Sequence, residues 1–197
     1  HKHCSYSCSY CQVGKAFTMQ VDRQKFYEPE ELYEEVKILL ASLVDEQQLP
    51  DYLAIVPDGE PTLDIMLGRL IELLQNFDIP VAVITNASLL HLPGVREDLL
   101  AADYVSIKVD AIDKQVWKRI NKPHRELDPE QIREGIEAFV SRFAGKLVTE
   151  TMLVDGINTA PSEYGNIAAF IQKIDPSIAY ISVPIRPPAF AGIKAAT

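Results

Sequence analysis

Cys4, Cys8 and Cys11 are the three cysteines of a 197-residue chain, and they fall together in Cys4-Ser5-Tyr6-Ser7-Cys8-Ser9-Tyr10-Cys11. Cysteines used for packing would scatter along the chain. Gathered as C-x3-C-x2-C, they read as ligands of one centre. Thiolates are soft donors that suit iron–sulfur clusters, zinc or copper. A cubane [4Fe–4S] cluster usually takes four Cys ligands, so three would leave one iron open to a substrate or cofactor. Two plainer readings stay open from these residues alone: a tetrahedral Cys3His zinc site completed by His1 or His3, and a ferredoxin-like site short of one ligand. No other constellation competes. The chain has no G-x4-G-K-[ST] phosphate loop and no H-E-x-x-H helix. The histidines are not spaced as a metal site, and His91 and His124 are expected at the surface.

A second set of chemical residues recurs where apolar runs end. Asp58-Gly59-Glu60-Pro61-Thr62 follows Tyr52 to Val56, and Thr85-Asn86 follows Val81 to Ile84. Gly59 can let backbone approach a ligand closely, although an ordinary strand-to-helix turn would look the same. Ser106, Lys108 and Asp110 are two apart and share one face of a strand. A Lys and an Asp on a buried face need pairing or solvent, so they are either a functional pair or a structural one. In the next run Glu150 and Met152 oppose Thr149, Thr151 and Leu153. Glu150 is expected to face the interior, because a carboxylate pressed against helices is harder to satisfy. Asp155-Gly156-Ile157-Asn158 is a turn signal. Arg186 sits among Pro184, Pro187 and Pro188, stiffly placed either to meet a carboxylate or to form a plain exit loop.

The elements that position these residues alternate. Helical spacing begins at Pro29, with Glu30 and Glu31 favourable to the helix dipole and Leu32, Val36, Leu39, Leu40 and Leu43 on one face. Tyr52 to Val56 reads as a strand buried on both sides. A helix follows on Leu63, Leu67, Leu70, Ile71 and Leu74. Strands at 81–84, 104–109, 147–154 and 179–183 alternate with helices at 95–101, 114–120, 129–143 and 161–174. Asp128 and Pro129 supply the cap and first turn of one of these. Strand–helix alternation implies an α/β fold, with a parallel sheet and helices outside. Chemistry in such a curved sheet sits at the carboxyl ends of the strands.

Composition bounds the rest. The length suggests one domain and allows a sizeable core. Hydrophobic content of 47% and charged content of 24% are those of a globular protein. No apolar run reaches the roughly 18 residues of a membrane span, so no membrane partner is expected, and clustered reduced thiols point to a cytoplasmic location. A net charge of −9 argues against bulk nucleic-acid binding. Lys114, Lys118, Arg119, Lys122 and Arg125 form a local exception, read as a solvated helix face. The chain starts without Met just before the cysteine motif and ends just after a strand, so 1–197 is expected to be one core domain that has lost segments at both ends.

The cysteine pattern, with Tyr10 just before the last Cys, resembles the radical S-adenosylmethionine (radical SAM) superfamily. With the segments 59–63, 85–90, 108–111, 120–124, 151–158 and 184–189, it resembles the branch that includes wyosine-base tRNA-modifying enzymes. The resemblance implies a partial (βα)6 TIM-like barrel, its first strand expected before residue 1. It implies a [4Fe–4S] cluster on Cys4, Cys8 and Cys11, and SAM on the open iron. Gly59-Glu60 resembles the family's G-G-E motif, which binds the SAM ammonium; Asp58 departs from the usual small residue. Tyr10, Thr85, Asn86, Ser106, Glu150, Asn158 and Arg186 are implied as further cofactor contacts, and Lys108 and Asp110 as residues beside the reacting substrate. The implied chemistry is one-electron cleavage of SAM to methionine and a 5′-deoxyadenosyl radical that abstracts hydrogen from a substrate. A low-potential donor of flavodoxin or ferredoxin type would supply the electron. The substrate, whether small molecule, RNA or protein, is not specified. An activator of a partner glycyl-radical enzyme and a non-catalytic iron–sulfur or zinc module remain alternatives.

Overall fold

The computed structural model describes residues 2–43 and 49–196. Two short strands come first, β1 (His3–Cys4) and β2 (Thr18–Met19), paired in parallel around the cysteine loop. Then follow α1 (Pro29–Ala41), β3 (Leu53–Ile55), a 3-10 turn at Pro61–Leu63, α2 (Leu67–Leu74), β4 (Val81–Thr85), α3 (Pro93–Leu100), β5 (Tyr104–Lys108), α4 (Lys114–Asn121), α5 (Pro129–Val140), β6 (Lys146–Met152), α6 (Pro161–Ile174) and β7 (Ile178–Ser182). Strands β3 to β7 form one sheet in chain order, every neighbour parallel. Each crossover carries helix, as parallel neighbours require. The architecture is the expected α/β, TIM-like one.

The sheet's middle is where the core sits. Val81 and Val83 of β4 and Val105 and Ile107 of β5 are fully buried, and Leu147 of β6 nearly so, in one cluster with Ile71, Leu99, Ile120 and Phe139 from the helices. At Gly135 of α5 a Cβ would overlap the backbone of Leu90 and His91, so α5 closes onto the loop after β4 only because that position lacks a side chain.

The two sheet edges depart from the sequence reading. Strand β3 is three residues long, with Tyr52 and Val56 exposed at either side, rather than a run buried on both faces. Helix α1 forms as expected, but only Pro29 is buried and Leu39 is 63% exposed. Strand β7 exposes Ile178, Tyr180 and Ile181. A terminal strand has a neighbour on one side only, so apolar spacing there signals the element without signalling burial. The apolar series read as one helix from Leu63 splits into the 3-10 turn and α2, because Asp64 is extended. Among the described residues no helix is long and apolar enough to cross a membrane.

Candidate functional site

The cysteine loop is moored at the end of α4. The last carbonyls of a helix lack intrahelical partners, and the loop supplies them: Ser9 N–H donates to Ile120 O at 2.7 Å, and Ser7 N–H to Asn121 O and Lys122 O at 3.1 and 3.2 Å. Lys122 takes φ 44° and turns the chain, so that His124 N–H can bond Ser5 O at 2.8 Å. Trp117 Nε1 donates to Tyr6 Oη at 3.1 Å, the rings edge-on. Cys4 and Cys8 are thereby buried, and Cys11 is half-buried.

Each sulfur faces an N–H donor. Asn86 Nδ2 lies 3.6 Å from Cys4 Sγ, Asn121 Nδ2 3.6 Å from Cys8 Sγ, and Lys2 Nζ 2.9 Å from Cys11 Sγ. Burial, reinforced by the nearby Glu60 carboxylate, pushes the Cys4 thiol up to about 11. Burial and then Asp110 push Cys8 up to about 12. The charge of Cys4 raises Cys8, and that of Cys11 raises Cys4, so the three sulfurs share one electrostatic neighbourhood. A metal centre must displace their protons to bind.

Glu60 forms a sealed corner behind Cys4. Its Oε1 accepts from Thr62 N–H, Thr62 Oγ1 and Thr85 Oγ1, and its Oε2 from Asn86 N–H at 2.7 Å. Burial holds its pKa above the usual carboxylate range, although those bonds act the other way. The turn continues through Ala87 at φ 64°, with Ser88 N–H on Asn86 Oδ1 at 2.9 Å. A left-handed non-glycine residue is uncommon; here it fixes the direction of Asn86. Glu60 N–H donates to His3 O at 3.0 Å, and a Cβ on Gly59 would overlap that carbonyl. A close approach at Gly59 is thus made by the chain's own β1 backbone.

Asp110 is the second buried hub. It accepts from Tyr10 Oη, from Asn121 Nδ2 at 2.7 Å and from Met152 N–H at 2.9 Å. It thus ties the cysteine loop, α4 and the end of β6 together, and its oxygens are spent on protein donors. The Lys108–Asp110 pair expected from spacing is replaced by Lys108–Glu150 at 3.1 Å, because these residues sit in register on neighbouring strands. Burial pulls the Lys108 pKa down, but Asp110 and Glu150 more than offset it, and the ammonium stays charged. Asn158, expected at the cofactor, is fully buried; it accepts from Val154 N–H and donates to Asp110 O and Met152 O, each at 2.8 Å. It shapes the turn after β6, and no polar atom of its side chain is left for a ligand. Ser106 is buried one pleat below Lys108.

The open part of the mouth lies over β5 to β7. A cleft of about 270 Å³ is lined by Tyr10, Cys11, Lys108, Glu150, Met152 and Arg186, among others. Glu150 faces it, as expected, with Thr149 and Thr151 buried on the other side of β6. The Tyr10 ring carries Lys108 Nζ 5.6 Å from its centroid. Arg186 is exposed there, and no ion pair to it occurs among the described residues.

Three thiols are the donor type that iron–sulfur clusters take from a protein, and among the described residues no group of three His, Cys, Asp or Glu side chains is arranged to hold a single metal ion. His3 Nδ1 bonds Gln20 Oε1 at 3.1 Å and its ring packs on Phe26; among the described residues it forms no metal-holding group with the cysteines, and His1 lies outside the described residues. Sequence reasoning missed Lys2 and Asn121 on the sulfurs, and Glu163, whose carboxylate takes the N–H groups of Ile112 and Asp113 and braces the loop after β5. Asn121 and Cys8 are 113 positions apart, and no local pattern marks such a contact.

Comparisons with known proteins agree with this geometry. The chain is 43% identical over 193 residues to a UPF0026 protein of Methanocaldococcus jannaschii, a match covering 98% of this chain and 60% of that protein. The chain thus spans about 60% of the length of this curated relative. Its fold resembles a structure of TYW1 with a lysine-pyruvate adduct bound (20% identity, TM-score 0.67, covering 95% of this chain and 64% of that one). It also resembles anSMEcpe with bound AdoMet (17% identity, TM-score 0.64, covering 93% and 49%). The Radical SAM superfamily profile matches residues 1–171, and with the cysteine loop, the strand-end carboxylates and the barrel-like sheet in place, this chain belongs to the radical SAM superfamily.

Proposed function

We propose that the chain is the catalytic core of a radical SAM enzyme, with Cys4, Cys8 and Cys11 holding a [4Fe–4S] cluster whose fourth iron is left to SAM. The observation that carries this reading is the cysteine loop: three sulfurs, each facing an N–H donor. When bound, the cluster supplies one electron to SAM, whose cleavage gives methionine and a 5′-deoxyadenosyl radical able to take hydrogen from a substrate. The chain's own residues do the positioning. Glu60, locked by Thr62, Thr85 and Asn86, holds its carboxyl oxygens behind Cys4, where they favour the SAM ammonium. Asp110 holds Tyr10 against the loop. Lys108, Glu150, Met152 and Arg186 line the cleft where the adenosyl group and substrate would meet. A low-potential flavodoxin- or ferredoxin-type protein is the electron donor this chemistry calls for.

The test is anaerobic reconstitution of the full-length protein with iron and sulfide, reduction, and addition of SAM. Release of 5′-deoxyadenosine and methionine in equal amounts is expected. A fully loaded protein that releases neither would refute the assignment.

A further inference from the structure

The donors on the three sulfurs come from three separate parts of the chain: Lys2 before β1, Asn86 after β4, and Asn121 at the end of α4. Each is clamped by a second acceptor. Lys2 Nζ also donates to Gly14 O at 2.6 Å, Asn86 Nδ2 to Ser5 Oγ at 3.0 Å, and Asn121 Nδ2 to Asp110 Oδ2 at 2.7 Å. The second bonds fix where each N–H points, and each sulfur has a donor of its own. Packing alone does not explain a lysine ammonium held on a cysteine sulfur in a half-buried position.

Resting on the cluster assignment above, we propose that Lys2, Asn86 and Asn121 are positioning residues that set the cluster's reduction potential, each supplying a side-chain N–H to a different thiolate, with Lys2 the strongest. Reduction adds one negative charge to the cluster and its sulfurs. N–H donors and a nearby cation stabilise that charge and raise the potential, as hydrogen bonds and net charge do in iron–sulfur proteins generally. The Glu60 and Asp110 carboxylates act in the opposite direction, and the donor set opposes them. Lys2 carries a full charge, and bonds with an ionised partner are roughly twice as strong as neutral ones, so its removal has the largest effect.

The experiment is an anaerobic redox titration followed by electron paramagnetic resonance, without SAM, on the full-length reconstituted protein and its Lys2→Met, Lys2→Arg and Asn86→Ala variants. Lys2 is half-buried ahead of the first strand, so its variants leave the core untouched. Expected are a midpoint moved to more negative potential in Lys2→Met at unchanged iron content, recovery in Lys2→Arg, and a smaller negative shift in Asn86→Ala. Equal midpoints in wild type, Lys2→Met and Asn86→Ala at equal iron content would overturn the proposal while leaving the cluster assignment standing. A wild-type protein that assembles no cluster would overturn both.

Discussion

The two halves of the strand-end mouth use the same residue types to opposite ends. Beside the cysteine loop, Glu60 and Asp110 are nearly excluded from solvent, at 5% and 3% exposure, and their oxygens are taken up by protein donors. Over β6 and β7, the Glu150 carboxylate meets Lys108 alone among the described residues, and the two side chains are 33% and 22% exposed. Arg186 beside them is open to solvent. A saturated carboxylate builds and charges a site, whereas one with free lone pairs can meet a ligand. Under the proposed function, the hydrogen-bond count of a strand-end carboxylate separates the residues that build the site from those left to meet a ligand.

The largest expected effect is on the cysteines. Replacing any one of Cys4, Cys8 or Cys11 with Ala should drop iron from about four per chain to well below one after reconstitution, measured by iron and sulfide analysis; undiminished iron would remove the loop from the metal centre. Next comes the sealed half. Asp110→Ala strands Tyr10 Oη, the Asn121 amide and the Met152 N–H, and should cost about 2–4 kcal/mol in urea unfolding, with poorer cluster retention. A loss below about 1 kcal/mol would mean that the hub is not structural.

Alkaline pH probes the same half. The folded-state pKa values of Cys4 and Cys8 are raised from 9.0 to about 11 and about 12. Their contribution to the stability of the metal-free protein is fully present below pH 9 and is lost as pH rises toward those values, because the unfolded chain ionises first. The loss approaches about 1.4 kcal/mol per pH unit per thiol. Melting temperatures between pH 8 and 10.5 should fall more steeply for wild type than for a Cys4→Ser, Cys8→Ser double variant, and parallel curves would contradict the burial argument.

The smallest stability effect belongs to the open half. Glu150→Gln should change unfolding by less than about 1 kcal/mol, as partly exposed pairs do, yet should lower 5′-deoxyadenosine release. A variant with large destabilisation and unchanged release would reverse the contrast between the halves.

Much of this could be read from the chain itself. Alternating apolar runs placed the sheet, and C-x3-C-x2-C placed the loop. The Ser106–Lys108–Asp110 spacing was right about the shared face but could not say that Lys108 would find Glu150 across the β5–β6 register while Asp110 turned to Tyr10 and Asn121. Asn158 looked like a ligand contact because turn residues and site residues share a polar vocabulary; only its bonds to Val154, Asp110 and Met152 separate them. Gly59 implied a close approach, and the approach proved to be to His3. The sheet edges were misjudged for a related reason, since local spacing reports a face and the neighbours that cover it are set far away in sequence.

The most direct measurement of the central claim is hyperfine spectroscopy of the reduced, reconstituted protein with SAM labelled at its amino nitrogen and carboxylate oxygen. Coupling of both labels to the cluster is predicted, because three cysteines leave one iron for them. A cluster signal indifferent to labelled SAM, with all four irons held by the protein, would contradict it.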